Sequence, residues 1–163
     1  MGKKLATLAV VLTLALTICA FRETRDPERT LDPLAAALVA DMNRERAANG
    51  LNPLRIDDEL AQAASDRIAD MFTKHYFDHV SPDGIEPWTW ADRCGYRYHE
   101  FGENLAVGYP SAASIVDGWM HSPHHRANIL GKDYIDVGVA IAAGSPTKPF
   151  RGPTVVALYG ERM

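Results

Sequence analysis

Ile135-Asp136-Val137-Gly138-Val139-Ala140-Ile141 and, further on, Thr154-Val155-Val156-Ala157-Leu158-Tyr159 decide the fold class. In the first stretch apolar residues alternate with small or polar ones, the period of a β-strand; the second is β-branched and apolar. Gly144 to Pro153 links them as a Gly/Pro-containing hairpin loop, so the pair is expected to be antiparallel. Upstream the period becomes helical. Asp32-Pro33 opens one helix, with aspartate as N-cap and proline in the first turn. Leu34, Ala37, Leu38 and Met42 share a face there, and Asn49-Gly50 closes it. Asp57 caps a second helix to about Lys74, burying a stripe of Leu60, Ala63, Ala64, Ile68, Met71 and Phe72. Pro87 to Arg93 reads as a short helix closed by Gly95. Ser111 caps another through Met120, burying Ile115, Val116 and Trp119. Helices come first and strands late, which makes the class α+β rather than a parallel, doubly wound sheet.

The chain has 163 residues, 47% hydrophobic and 23% charged, enough for one domain with a packed core. A formal charge of -4 without a Lys/Arg patch argues against nucleic acid as the partner. Residues 1–20 have the layout of a secretory signal: basic Met1-Gly2-Lys3-Lys4, then an uncharged run from Leu5 to Ala20. That run is shorter than the roughly 20 residues a spanning helix needs, so cleavage is expected and no stable transmembrane segment remains. Leu16-Thr17-Ile18-Cys19 resembles a lipoprotein signal, but Ile18 stands where a small residue is required, which disfavours lipid attachment at Cys19. The expected location is outside the cytoplasm: secreted, periplasmic or on the cell envelope. Residues 21–31 form a polar lead-in and 32–163 a single domain. After cleavage Cys94 is the lone cysteine, so no internal disulfide forms and the thiol is expected to be a small apolar filler.

Three polar clusters carry the chemistry. Phe77-Asp78-His79-Val80-Ser81-Pro82-Asp83-Gly84 and Gly102-Glu103-Asn104-Leu105-Ala106 precede Trp119-Met120-His121-Ser122-Pro123-His124-His125-Arg126-Ala127-Asn128-Ile129-Leu130. Imidazoles and a carboxylate brought together by the fold can bind a metal, move protons or orient an anion. Ser81 and Ser122 flank the histidines but precede prolines and suit turns; no Gly-x-Ser-x-Gly elbow occurs. Trp88, Trp90, Tyr96, Tyr98, Phe101 and Tyr109 bunch between these clusters, mostly as core, with some available to line an apolar groove. Arg126 is expected to pair with an acid such as Asp133.

These motifs in this order, followed by Val137-Gly138-Val139, resemble the CAP superfamily of cysteine-rich secretory, antigen 5 and pathogenesis-related proteins. The short bacterial branch is the most similar, and the match spans about Leu34 to Gly160. The resemblance implies an α-β-α sandwich, a small antiparallel sheet flanked by helices, with a cleft of two histidines and two acids. His79 matches the first histidine, Glu103 the glutamate and His125 the second histidine. The fourth place, an acid after the first histidine, has no clean match: Trp88-Thr89-Trp90 stands there, with Glu86 or Asp83 as substitutes.

His79, Glu103 and His125 are therefore the expected ligands of a divalent metal, zinc first, with a water-bearing open position. Glu86, Asn104 and Arg126 join them as expected cleft residues. The expected function is an exported, non-enzymatic domain whose cleft binds a metal, a polar ligand or a lipid, with a small ligand, a lipid or an extracellular protein as partner. Two alternatives stay open: a metal-assisted hydrolase of peptide or cell-envelope substrates, and a purely structural polar network in an extracytoplasmic interaction domain.

Overall fold

The computed structural model describes residues 32–148 and 151–163, so the expected signal and lead-in lie outside the described residues. The elements in order are α1 (Pro33–Ala48), β1 (Arg55–Ile56), α2 (Asp58–Lys74), α3 (Trp88–Arg93), β2 (Tyr98–Val107), α4 (Ala112–Met120), α5 (Pro123–Ile129), β3 (Asp136–Ala143) and β4 (Pro153–Arg162). Capping follows the sequence. Asp32 accepts from the amides of Leu34 and Ala35, Asp57 from those of Glu59 and Leu60, and Ser111 forms a reciprocal capping box with Ser114.

The sheet runs β1-β3-β4-β2. β3 pairs antiparallel with β4, with Ile141 opposite Val155 and Val137 opposite Tyr159, as expected for the hairpin. β2 closes the other side of β4 antiparallel, with Glu103 opposite Leu158. Two details differ from expectation. β1 pairs parallel with β3, so the sheet is mixed, and β1 and β2 fall between helices rather than late in the chain. β2 shows no alternation in sequence because Gly102 to Ala106 are all buried, two of them polar residues with protein partners.

β4 is buried on both faces, and its side chains sort by parity. Val155, Ala157 and Tyr159 join Leu38, Met42, Ile115, Val116, Trp119 and Ile129, a core with α1, α4 and α5. Val156 and Leu158 join Leu60, Ala64, Met71, Trp90 and Tyr96, a core with α2 and α3. Period-two alternation thus sends neighbouring residues into opposite layers, which makes the α-β-α sandwich. α2 lies directly on β3 at Gly138, where a Cβ would strike the Leu60 carbonyl and the Ala61 amide. The α1 stripe is Ala35, Leu38, Val39 and Met42, continued by buried Arg46, while Ala37 faces solvent. Trp90 and Tyr96 are core as expected, whereas Trp88 and Tyr109 are exposed.

Candidate functional site

Glu103 sits in the middle of β2, only 6% exposed, so its carboxylate needs partners from the protein. It has one for each oxygen. Oε1 accepts from the Nδ1 side of His79 at 2.8 Å, and Oε2 accepts from Arg67 Nε at 3.0 Å. Arg67 is fully buried on α2. Its remaining donors reach the Tyr76 hydroxyl and the carbonyls of Asp78 and His79, the latter two at 2.6 Å each. Tyr76 in turn donates to Asp70 Oδ2 at 2.7 Å. Arg67 therefore holds the chain around His79 from below while Glu103 holds its ring.

The loop that presents His79 is fixed at its far end as well. Ser81 Oγ accepts from the amides of Asp83 and Ile85, at 3.2 and 3.0 Å, so this hydroxyl braces a turn. Lys74 bridges Asp70 and Asp83, at 2.7 and 2.6 Å, pinning that turn to α2.

His125 comes from α5, which starts at Pro123 with Ser122 as N-cap and so is separate from α4. Asn104 Nδ2 donates to the His125 carbonyl at 3.0 Å and to the Tyr159 hydroxyl at 3.1 Å. Asn128, one turn along α5, donates to the Glu103 carbonyl at 3.0 Å and to Asn104 Oδ1 at 2.8 Å. Trp119 Nε1 donates to the Leu105 carbonyl at 3.0 Å, so α4 and α5 side chains cap the outer edge of β2. Gly102 gives room here: a Cβ would sit 2.8 Å from both Asn128 Oδ1 and the Tyr134 hydroxyl, so those side-chain ends would have to shift. The Gly-Glu-Asn run is thereby explained: space, a carboxylate for His79, and an amide for α5.

The two imidazoles differ electrostatically. The hydrogen bond to Glu103 raises the His79 pKa above its ordinary value against the opposing effect of burial, and the Glu103 and Asp78 charges add to the rise. Burial pushes the His125 pKa down, and the charges of His79 and His124 lower it further. His125 thus lies within electrostatic reach of His79. Among the described residues, no hydrogen bond to the His125 ring is present beside these contacts, and His79 keeps about half of its side chain exposed, at 52%. His75, His99, His121 and His124 are all exposed.

The other expected residues have partners or surroundings of their own. Glu86 is half-buried just before α3, and its carbonyl accepts from the Thr89 amide. Asp83 is taken by Lys74, and after Glu103 the acid acting on His79 is Asp78. Asn104 braces α5 from a fully buried position. Arg126 turns to a shallow recess of about 440 Å³ lined by Met120, His121, Pro123, Ala127 and Leu130, with His79, Glu103 and His125 absent from its walls. Asp133 pairs with Lys132 at 2.8 Å instead of Arg126. Cys94 is half-buried, its Sγ 3.6 Å from Asp66, and burial pushes the thiol up to about 11. Among the described residues no three His, Cys, Asp or Glu gather as a metal cage.

Sequence reasoning passed over Arg67 and Tyr76. The signal for Arg67 was present: it falls on the α2 stripe, one helical step from Ala63, Ala64 and Met71, and a charge there is a buried charge needing a partner.

Residues 39–156 match the cysteine-rich secretory protein (CAP) family profile. The protein YkwD of Bacillus subtilis (strain 168) is 39% identical over 104 residues, covering 63% of this chain; the chain spans only 40% of that relative. Among solved structures, an outer surface protein of Borrelia burgdorferi superposes with a TM-score of 0.69 at 23% identity, covering 78% of this chain and 92% of that one. An extracellular protein containing a SCP domain from Bacillus anthracis gives 0.67 at 22%, covering 78% and 40%. At these identities the structures speak for the fold alone. No helix among the described residues is long and apolar enough to cross a membrane.

Proposed function

The chain belongs to the cysteine-rich secretory protein (CAP) family, and on that premise we propose that it is an exported, non-enzymatic binding domain. Its His79/His125 cleft takes a divalent cation, zinc by preference. One observation carries the reading: Glu103 grips the half-exposed His79 through Nδ1, and among the described residues neither His79 Nε2 nor the His125 ring has a hydrogen-bond partner. A ligating histidine characteristically donates its other ring nitrogen to a carboxylate, and this is that arrangement.

The reading is of a cation held by two imidazoles. Glu103 acts as the orienting carboxylate rather than a third ligand, since Arg67 takes its second oxygen. Two protein ligands leave open positions, which suits a weakly held ion that could itself engage an anionic or polar partner. Export is supported by the basic, apolar and then polar order of residues 1–26.

The test is calorimetric titration of the purified protein with ZnCl2, wild type against His125→Ala. The expected result is one site whose affinity drops at least about tenfold in the variant. Equal heats in the two proteins refute the reading. A second reading, that the cluster is only a fold-stabilising network, is favoured by the protein partners of Glu103, Asn104 and Asn128. It predicts a lower melting temperature for His79→Ala with no binding to lose.

A further inference from the structure

Arg67 touches His79 from two sides, through its main-chain carbonyl directly and through its ring by way of Glu103. A guanidinium donates and never accepts. Whatever oxygen faces Arg67 Nε must therefore be an acceptor. Tyr76 cannot relax this demand, because its hydroxyl accepts from Arg67 and donates onward to Asp70, which also takes Lys74. Every bond in the chain thus has a fixed direction. With a carboxylate at position 103 both oxygens accept, and His79 Nδ1 is left one role, that of donor. The neutral ring then carries its proton on Nδ1 and its lone pair on Nε2.

We propose that Arg67 is a positioning residue that fixes how the side chain at position 103 faces His79: its donor-only hydrogen bond takes one oxygen and leaves the other end to His79 Nδ1, so that Arg67 and Glu103 together set the tautomer of His79. The inference deepens the cation-binding reading, and only its zinc arm rests on that reading. Arg67 reaches no ligand itself. With Glu103 it decides which nitrogen of His79 is left bare.

The experiment reads imidazole nitrogen shifts of His79 in the metal-free protein at alkaline pH, where the ring is neutral. In wild type the Nδ1–H form is expected to predominate. In Glu103→Gln, Arg67 still claims the oxygen, so the amide NH2 faces His79 and Nδ1 must accept. The proton moves to Nε2, and zinc affinity falls by about 10–100-fold. In Arg67→Met/Glu103→Gln the amide is free to turn its oxygen toward Nδ1, and the Nδ1–H population rises again. An arginine that merely stabilises the fold would leave the two Gln variants with the same tautomer.

A predominant Nε2–H form in wild type overturns the assignment outright and needs no variant to fold. Identical tautomers in the single and double Gln variants overturn it as well. If the tautomers follow the expected pattern while ZnCl2 binds nowhere, the cation reading falls and the role of Arg67 stands.

Discussion

Arg46→Met removes a buried cation that ties four main-chain carbonyls to α1. Arg46 is 1% exposed, and its donors reach the carbonyls of Asn52 at 2.7 Å, Ile129 at 2.9 Å, Gly131 at 2.8 Å and Tyr134 at 3.0 Å. Two of these carbonyls lie at the C-terminal end of α5, where helical carbonyls lack intrahelical partners and a cation is favoured. Burial opposes the gain: it lowers the pKa of Arg46, with only a partial offset from Tyr159. A hydrogen bond to a charged group contributes about 1.5–3 kcal/mol, and a buried acceptor left unpaired costs about 1–3 kcal/mol. Four such bonds are not additive, and relief from desolvating the guanidinium cancels part of the sum. Methionine keeps most of the side-chain volume, so the expected loss is about 3–5 kcal/mol. That is a large share of the roughly 5–15 kcal/mol typical of a domain. At roughly 3–4 °C per kcal/mol, the melting temperature should fall by about 10–20 °C. Urea unfolding followed by circular dichroism measures the difference directly. A loss under about 1 kcal/mol refutes the claim that this guanidinium holds the end of α5.

Gly138→Ala should destabilise by about 1–3 kcal/mol or prevent folding, because the new methyl meets the Leu60–Ala61 backbone of α2, which cannot rotate away; an unchanged urea midpoint would show that α2 is not seated on β3. Asp70 is held below the ordinary carboxylate range: burial raises it, but hydrogen bonds from Lys74 and Tyr76 outweigh that, with the Lys74 and Arg67 charges adding. A depressed folded value stabilises above the unfolded pKa of 3.8 and is lost as pH falls through the folded one. Asp70→Asn should therefore weaken the protein at neutral pH and flatten its loss of stability below about pH 4; parallel pH–stability curves for variant and wild type would contradict this. Asn128→Ala removes the donor to the Glu103 carbonyl and should cost about 1–2 kcal/mol while speeding amide exchange along β2; unaltered exchange would remove Asn128 from the edge-capping role.

Where local chemistry decided structure, the sequence was readable. Asp32, Asp57 and Ser111 cap the helices they precede, and the hairpin of β3 and β4 follows from alternation around a Gly/Pro link. β2 was not readable because its interior residues answer to long-range partners: Glu103 to Arg67 and His79, Asn104 to His125 and Tyr159. The parallel contact of β1 spans two residues, too few to produce a period. At the site, His79 and Glu103 meet as their motifs imply, and His125 lies close enough to feel the charge of His79. Arg126, next to His125 in sequence, lines a recess with Met120, His121, Pro123, Ala127 and Leu130. Buried Arg46 and Arg67 occupy core positions that a hydrophobicity pattern reads as interruptions.

The most direct test follows the six histidines of the chain individually by imidazole proton–carbon NMR while ZnCl2 is added to one equivalent. The account predicts that His79 and His125 shift or broaden together, at the same zinc ratio, while His75, His99, His121 and His124 stay in place. Zinc-dependent changes confined to the exposed histidines, or a response of His79 without His125, would contradict it.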